Sequence, residues 1–320
     1  MSRLITKTQR EYVCVNCKDL GDYVDVYYKD YYYIYRKDAD KLKKLECRFC
    51  SDETHILNKC INIKELYLES CRIDIPYNLV NLVELTIFDT EYLKEIPDTL
   101  INLKKLSLDR CYNLKCIPNT LINLETLILN AKSDYEIPNN LKIKTLELNN
   151  IYQTEFINCN VEELKTLKIK SCNFDTIPSN LLNLEILNIS HCNNIRNIPK
   201  TLINLQSLII YSCSDIQTIP ETLINLREID MKIDIYNIIV FKLYYDKEEI
   251  KILSDVFYLP LTRLKKLELI KIKNYYNIEY TIDKNDINKI KKISKHYGNK
   301  YYILDMDKKF NIPKGFPNNI

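Results

Sequence analysis

The sequence predicts an α/β solenoid, a stack of short coils that each add one strand to a parallel sheet and return through turns on the far side. Three observations carry that prediction. An alternating apolar phrase recurs, as in Leu66-Tyr67-Leu68-Glu69-Ser70-Cys71, Leu106-Ser107-Leu108-Asp109-Arg110-Cys111 and Leu187-Asn188-Ile189-Ser190-His191-Cys192. A second phrase stands between these, Ile96-Pro97-Asp98-Thr99-Leu100-Ile101-Asn102-Leu103, and returns from Ile117 and from Ile219. The first apolar residue of the alternating pair falls at 45, 66, 85, 106, 127, 146, 167, 187, 208 and 229, so coils follow one another at 19 to 21 residues. A fixed period of that size marks a repeat architecture.

Each part of the phrase has a physical reason. Alternation points two apolar side chains inward and the residue between them to solvent, which is a short strand. Stacking the coils gives every strand a parallel neighbour, and so satisfies backbone groups that no single coil satisfies alone. Proline has no N–H for a ladder, so Pro97, Pro118 and Pro220 belong off the sheet, opening a turn or 3₁₀ segment on the outer side. Leu100 and Leu103 then point back into the core. Further coils are expected at Ile250-Lys251-Ile252 and Leu267-Glu268-Leu269. Irregular coils are expected where Asn158 replaces the proline and where Lys132 and Ile151 replace the cysteine.

These phrases resemble the leucine-rich repeat family, in a short variant with cysteine at the usual Asn or Cys position. The I-P-x-x-L phrase and the Ile-, Asn-, Lys- and Tyr-rich composition are also similar to repeat proteins of large AT-rich DNA viruses and amoebae. The resemblance implies a horseshoe with its parallel sheet on the concave face and short turns on the convex face. It also implies a non-enzymatic protein that binds other proteins through that sheet, host proteins if the source is viral. A related role is substrate recognition in a ubiquitin ligase, although residues 1–40 lack the helical leucine and proline pattern of the module that usually accompanies it.

A solenoid exposes an apolar cross-section at each end and needs atypical caps. Residues 1–41 are expected to form the first, with β-prone runs over Tyr23–Tyr28 and Tyr31–Tyr35 arranged as a hairpin. The array spans 42–272 in about ten to twelve coils, irregular near 236–260. Residues 273–320 form the second cap, where Ile287, Ile290, Ile293 and Tyr297 give one face of a basic amphipathic helix near 284–297.

Twelve cysteines require an account. Cys14-x-x-Cys17 and Cys47-x-x-Cys50 have the ligand types of a tetrahedral zinc site. The repeat register offers another reading, in which Cys47 takes an inward strand position and Cys50 the ladder position, both as small apolar residues. Cys50, Cys71, Cys111, Cys172, Cys192 and Cys213 share that ladder position. Coils stack about 4.8 Å apart, within the Cα range of a disulfide. The opening residues Met1–Arg10 carry no apolar run of signal-peptide length, so a cytoplasmic location with free thiols is expected, in the host cytoplasm if the source is viral.

Net charge is +3, so no general affinity for nucleic acid is indicated, and no stretch has the roughly 18 apolar residues of a membrane span. A monomer without cofactor is expected. His55, His191 and His296 stand in separate contexts, and no catalytic constellation or phosphate loop is present. The outward strand positions therefore carry the functional reading. Among them Tyr67, Phe88 and Tyr211 have no packing reason to be aromatic, which makes them candidate anchors for a protein partner. Glu69 and Asp109 are acidic and fall early in the array, whereas Lys168 and Lys170 are basic and fall in the middle. His191 stands beside a ladder cysteine on the same face. A partner of complementary polarity would fit.

Overall fold

The computed structural model describes residues 13–15, 23–27, 32–35, 39–40, 42–48, 56–131, 135–152, 159–216, 218–232, 241–246, 249–254, 257–260, 266–273, 279–285 and 302–304. They divide into two compact units, the first Met1–Tyr152 with Ile157–Glu163 and the second Gln153–Phe156 with Leu164–Ile320.

In the first unit, β1 (Val13–Val15), β2 (Tyr23–Tyr27) and β3 (Tyr32–Tyr35) precede six repeat strands. These are β4 (Lys44–Arg48), β5 (Glu65–Glu69), β6 (Glu84–Phe88), β7 (Lys105–Asp109), β8 (Thr126–Asn130) and β9 (Thr145–Asn149). From β4 to β9 every pair is parallel and in register, with Leu66 beside Leu85 and Leu85 beside Leu106. β1 joins β4 in parallel, β2 lies antiparallel to β1, and β3 lies antiparallel to β2.

The second unit continues the same phrase in β10 (Thr166–Lys170), β11 (Ile186–Ser190), β12 (Ser207–Tyr211) and β13 (Glu228–Lys232). Here the structure corrects two sequence expectations. Ile250-Lys251-Ile252 is not a coil of the parallel sheet. It lies in a separate antiparallel sheet of β14 (Phe241–Asp246), β15 (Glu249–Ser254), β16 (Phe257–Pro260) and β19 (Tyr302–Leu304). The parallel sheet resumes at β17 (Leu269–Lys273), which pairs with β13 through Ile229–Ile270 and Met231–Ile272 and is followed by antiparallel β18 (Glu279–Asp283). The inward residue in register with Ile229 is Ile270, three residues beyond the expected Leu267, and Leu267 takes the buried place that Leu226 holds one coil earlier. The lysine-rich helix expected near 284–297 lies outside the described residues beyond Lys284 and Asn285, as do Lys132 and Asn158.

The core is two aliphatic columns per sheet. Leu66, Leu85, Leu106, Leu127 and Leu146, and beside them Leu68, Ile87, Leu108, Leu129 and Leu148, are at most 2% exposed. Full burial of each such side chain contributes about 1.5–3 kcal/mol. Opposite the sheet the proline phrase makes reverse turns and not a helix. Leu100 N–H donates to Pro97 O at 3.3 Å, and Leu103 N–H to Leu100 O at 3.0 Å. A short 3₁₀ segment stands at Ile56–Lys59.

Two side-chain ladders explain why Thr and Asn recur in that phrase. Thr99, Thr120, Thr201 and Thr222 each donate Oγ1–H to a carbonyl of the preceding coil, at 2.5–2.6 Å. Asn81, Asn102, Asn123, Asn204 and Asn225 do the same through Nδ2, at 2.7–3.1 Å. The coil is thus tied to its predecessor on its rim as well as in its sheet.

The turn out of each strand has its own constraint. Ser70, Asp89, Arg110, Ala131, Asn150, Ser171, His191 and Ser212, each directly after a strand, have φ of 51–62°. That left-handed region costs a residue with a Cβ roughly 1–2 kcal/mol. The turn aims the N–H at the next coil, as where Ala131 donates to Asn149 O at 2.9 Å.

Ala131→Gly is expected to raise stability by about 0.5–1 kcal/mol, the relief of the left-handed backbone less the entropy glycine loses on folding. Asn123→Ala, which deletes the bond to Ile101 O, is expected to lower stability by about 1 kcal/mol. Urea unfolding of each variant measures both; an Ala131→Gly protein less stable than the parent contradicts the strain assignment.

Candidate interaction surface

The solvent side of each sheet is built by the odd positions of its strands, which are half-buried on most of them while the even positions are buried. In the first unit the register brings Tyr67, Glu69, Phe88 and Asp109 together across β5, β6 and β7. The aromatic rings there are covered. Arg48 lies over the Tyr67 ring with its guanidinium carbon 5.2 Å from the centroid, and Arg110 lies over Phe88 at 4.4 Å. Each arginine is also held by carboxylates. Arg48 pairs with Glu69 at 2.8 Å and Glu46 at 3.6 Å, and Arg110 with Asp109 at 3.6 Å and Asp89 at 3.7 Å.

Such contacts are individually modest, about 0.5–1 kcal/mol for an exposed cation–π pair and about 0–1 for a surface ion pair. Their effect is to order two arginines flat against two rings, so that polar edges and apolar area are presented together. The Tyr67 hydroxyl donates to Glu69 Oε2 at 3.1 Å, and burial together with the neighbouring Glu69 carboxylate raises its pKa. From Asp109 a polar chain runs on: Asn130 Nδ2 donates to Asp109 Oδ2 at 2.7 Å, and Asn150 Nδ2 to Asn130 Oδ1 at 2.8 Å.

In the second unit Lys168 and Lys170 stand exposed on β10. Tyr211 on β12 donates its hydroxyl to Asp230 Oδ2 at 2.7 Å. His191 is exposed but does not project from a strand. It holds the left-handed position after β11, and its N–H donates to Tyr211 O at 2.8 Å. Arg48 and Arg110 were the members of the surface that sequence reasoning passed over. The signal that finds them is cross-strand: Arg48 occupies the column of Glu69 one coil away, and Arg110 directly follows Asp109.

The ladder cysteines face inward. The Cys71, Cys111, Cys192 and Cys213 thiols each donate to the carbonyl two residues back, at 3.2–3.4 Å. In the second unit Cys172 N–H donates to Cys192 Sγ and Cys192 N–H to Cys213 Sγ, both at 3.4 Å. Donation from the Cys172 thiol and N–H draws the Cys192 pKa down to about 7. Burial pushes Cys60 up to about 12 and Cys159 up to about 11. At the same ladder position Thr90 donates Oγ1–H to Phe88 O, replacing the thiol, and Ile151 is fully buried.

Of the candidate zinc set, Cys14 and Cys47 are backbone neighbours in the β1–β4 register, and Cys47 is a fully buried member of the inward column. Cys17 and Cys50 lie outside the described residues. Among the described residues no three His, Cys, Asp or Glu side chains gather as a metal site, and no helix is long and apolar enough to cross a membrane.

The fold defines the class of protein. In-register strands at 19- to 21-residue intervals, inward aliphatic pairs and a cysteine ladder give the chain a leucine-rich repeat fold, and the leucine-rich repeat family model matches residues 183–205, the coil that contains β11. No curated protein matches the sequence. Among solved structures the chain is similar to the leucine-rich repeat domain of the type III effector XopL, at 20% identity and TM-score 0.35 over 56% of this chain and 64% of that one. It is similar to an internalin, InlF, of Listeria monocytogenes at 19% and 0.37, over 76% and 64%. It is also similar to a leucine-rich repeat protein of Leptospira interrogans at 19% and 0.38, over 73% and 74%. The chain thus spans less than two thirds of the first two in length.

Cys116 is exposed whereas Cys60 is fully buried. Alkylation of the folded protein at neutral pH is expected to label Cys116 and to leave Cys60 unlabelled until denaturant is added. Peptide mass mapping reads both sites, and equal labelling in the folded state contradicts this packing.

Proposed function

We propose that this chain is a non-enzymatic binding module that recognises another protein through the solvent side of its parallel sheet. The observation that carries the reading is the pair of aromatic rings on β5 and β6, each lying under an arginine that carboxylates hold in place. Aromatic and arginine side chains dominate the energetics of protein interfaces, and here they are already ordered before a partner arrives, which reduces the entropy lost on binding. Tyr211 on β12 adds a third ring, with its hydroxyl held by Asp230. The scaffold supports the same reading. Backbone groups and inward side chains are consumed by stacking, while the outward strand positions vary in charge and size from coil to coil.

The combined substitution Tyr67→Ala, Phe88→Ala and Tyr211→Ala, all at half-buried outward positions, is expected to leave the fold intact and to release the partner. Loss of one interface anchor typically costs about 2 kcal/mol or more. Affinity capture from the native cell, with parent and variant compared by quantitative mass spectrometry, reads the outcome. Retention of every specific partner by the variant overturns the assignment of this face.

A further inference from the structure

The two central outward columns carry opposite charge in the two units, although they occupy identical register positions. In the first unit they hold Glu46, Glu69, Asp109 and Glu147, against Arg48. In the second they hold Lys168, Lys170, Lys232 and Lys271, against Asp230, whose Oδ2 accepts the Tyr211 hydroxyl. Lys168 and Lys170 are also the most open of these positions. Both are exposed on β10, whereas the corresponding pairs on β4–β9 and β11–β13 are half-buried.

We propose that the sheet of the second unit takes an acidic polypeptide segment, extended and rich in Asp and Glu, with alternate carboxylates seated on Lys168 and Lys170. This rests on the reading of the sheet face as a protein-binding surface and names the chemistry of the partner there. Residues two apart on a strand lie about 6.6 Å apart, and alternate residues of an extended peptide repeat at nearly the same distance. The two lysines therefore match every second side chain of such a segment. On the adjoining β11, Ile186 is exposed two residues before Asn188, the register partner of Lys168, and supplies apolar area near the charges. A peptide fits this face better than a nucleic acid does. Asp230 and Glu228 stand on the same face and oppose a continuous line of phosphates, and Tyr211 is tied to Asp230 in place of offering a free stacking platform.

The test is fluorescence anisotropy with the full chain and three labelled probes of equal length: a Glu/Ser alternating peptide, its Lys/Ser counterpart and a single-stranded RNA. The Glu/Ser peptide is expected to bind, with affinity that falls as salt rises, and the Lys/Ser peptide is not. Lys168→Glu with Lys170→Glu, at exposed positions where circular dichroism should report an unchanged fold, is expected to weaken the Glu/Ser peptide by about tenfold. Lys142→Glu, a charge reversal at an exposed position of the first unit, is expected to leave its affinity unchanged. Undiminished binding by the charge-reversed protein overturns the proposal, and so does RNA binding that is tighter than the peptide's and abolished by the same reversal. If the Tyr67, Phe88 and Tyr211 substitutions release the natural partner while the peptide ignores the lysines, the face binds protein by other means and this proposal alone is lost.

Discussion

A strand of five residues cannot satisfy its own backbone, and in this chain it is never asked to. Glu65–Glu69 has its donors and acceptors met by Lys44–Arg48 on one side and Glu84–Phe88 on the other, and the same holds along each array. That requirement forces the coils into register, because a slip of one residue would turn every inward leucine to solvent. It also forces the chain to leave each strand sharply. The left-handed residue after the strand is the local consequence, accepted eight times by Ser, Asp, Arg, Ala, Asn and His without a glycine. The strain is offset because the same turn aims an N–H at the next coil and drops the following cysteine, threonine or isoleucine into the core.

With stacking so determined, chemistry is left to the outward positions, and these are not uniform. In the first unit they form an arginine-over-aromatic surface threaded by carboxylates and continued by asparagines. In the second they are mostly basic, and on β10 they are exposed. The thiols contribute nothing to this surface. Their hydrogen bonds run to backbone carbonyls within the stack, as those of threonine do at position 90.

Much of the fold was legible because two periods coincide, the alternation within a strand and the spacing between coils. Where the periods became ambiguous, reading failed for a definite reason. The run from Leu267 to Ile272 contains two overlapping alternations, Leu267-x-Leu269 and Ile270-x-Ile272, and only pairing with Ile229 and Met231 selects the second. Ile250-x-Ile252 falls at the expected interval, yet its neighbours Phe241–Asp246 and Phe257–Pro260 offer it an antiparallel sheet. The aromatic surface was legible as exposed rings out of place. Its arginines were not, because a side chain that reaches across to another coil leaves no mark in its own phrase. The left-handed turns were equally hidden, since the favoured small polar residues share that position with Arg110, His191 and Ala131.

The rim ladders make the stack directional. Each Thr and Asn donates only to the coil before it, so every coil presents open carbonyls forward and spent donors behind. A coil copied between the turn of Leu100 and that of Leu121 would find carbonyls waiting on one side and donors on the other. Length in this chain is therefore evolutionarily cheap, and duplication of a single coil is the natural step by which such a molecule gains or loses reach.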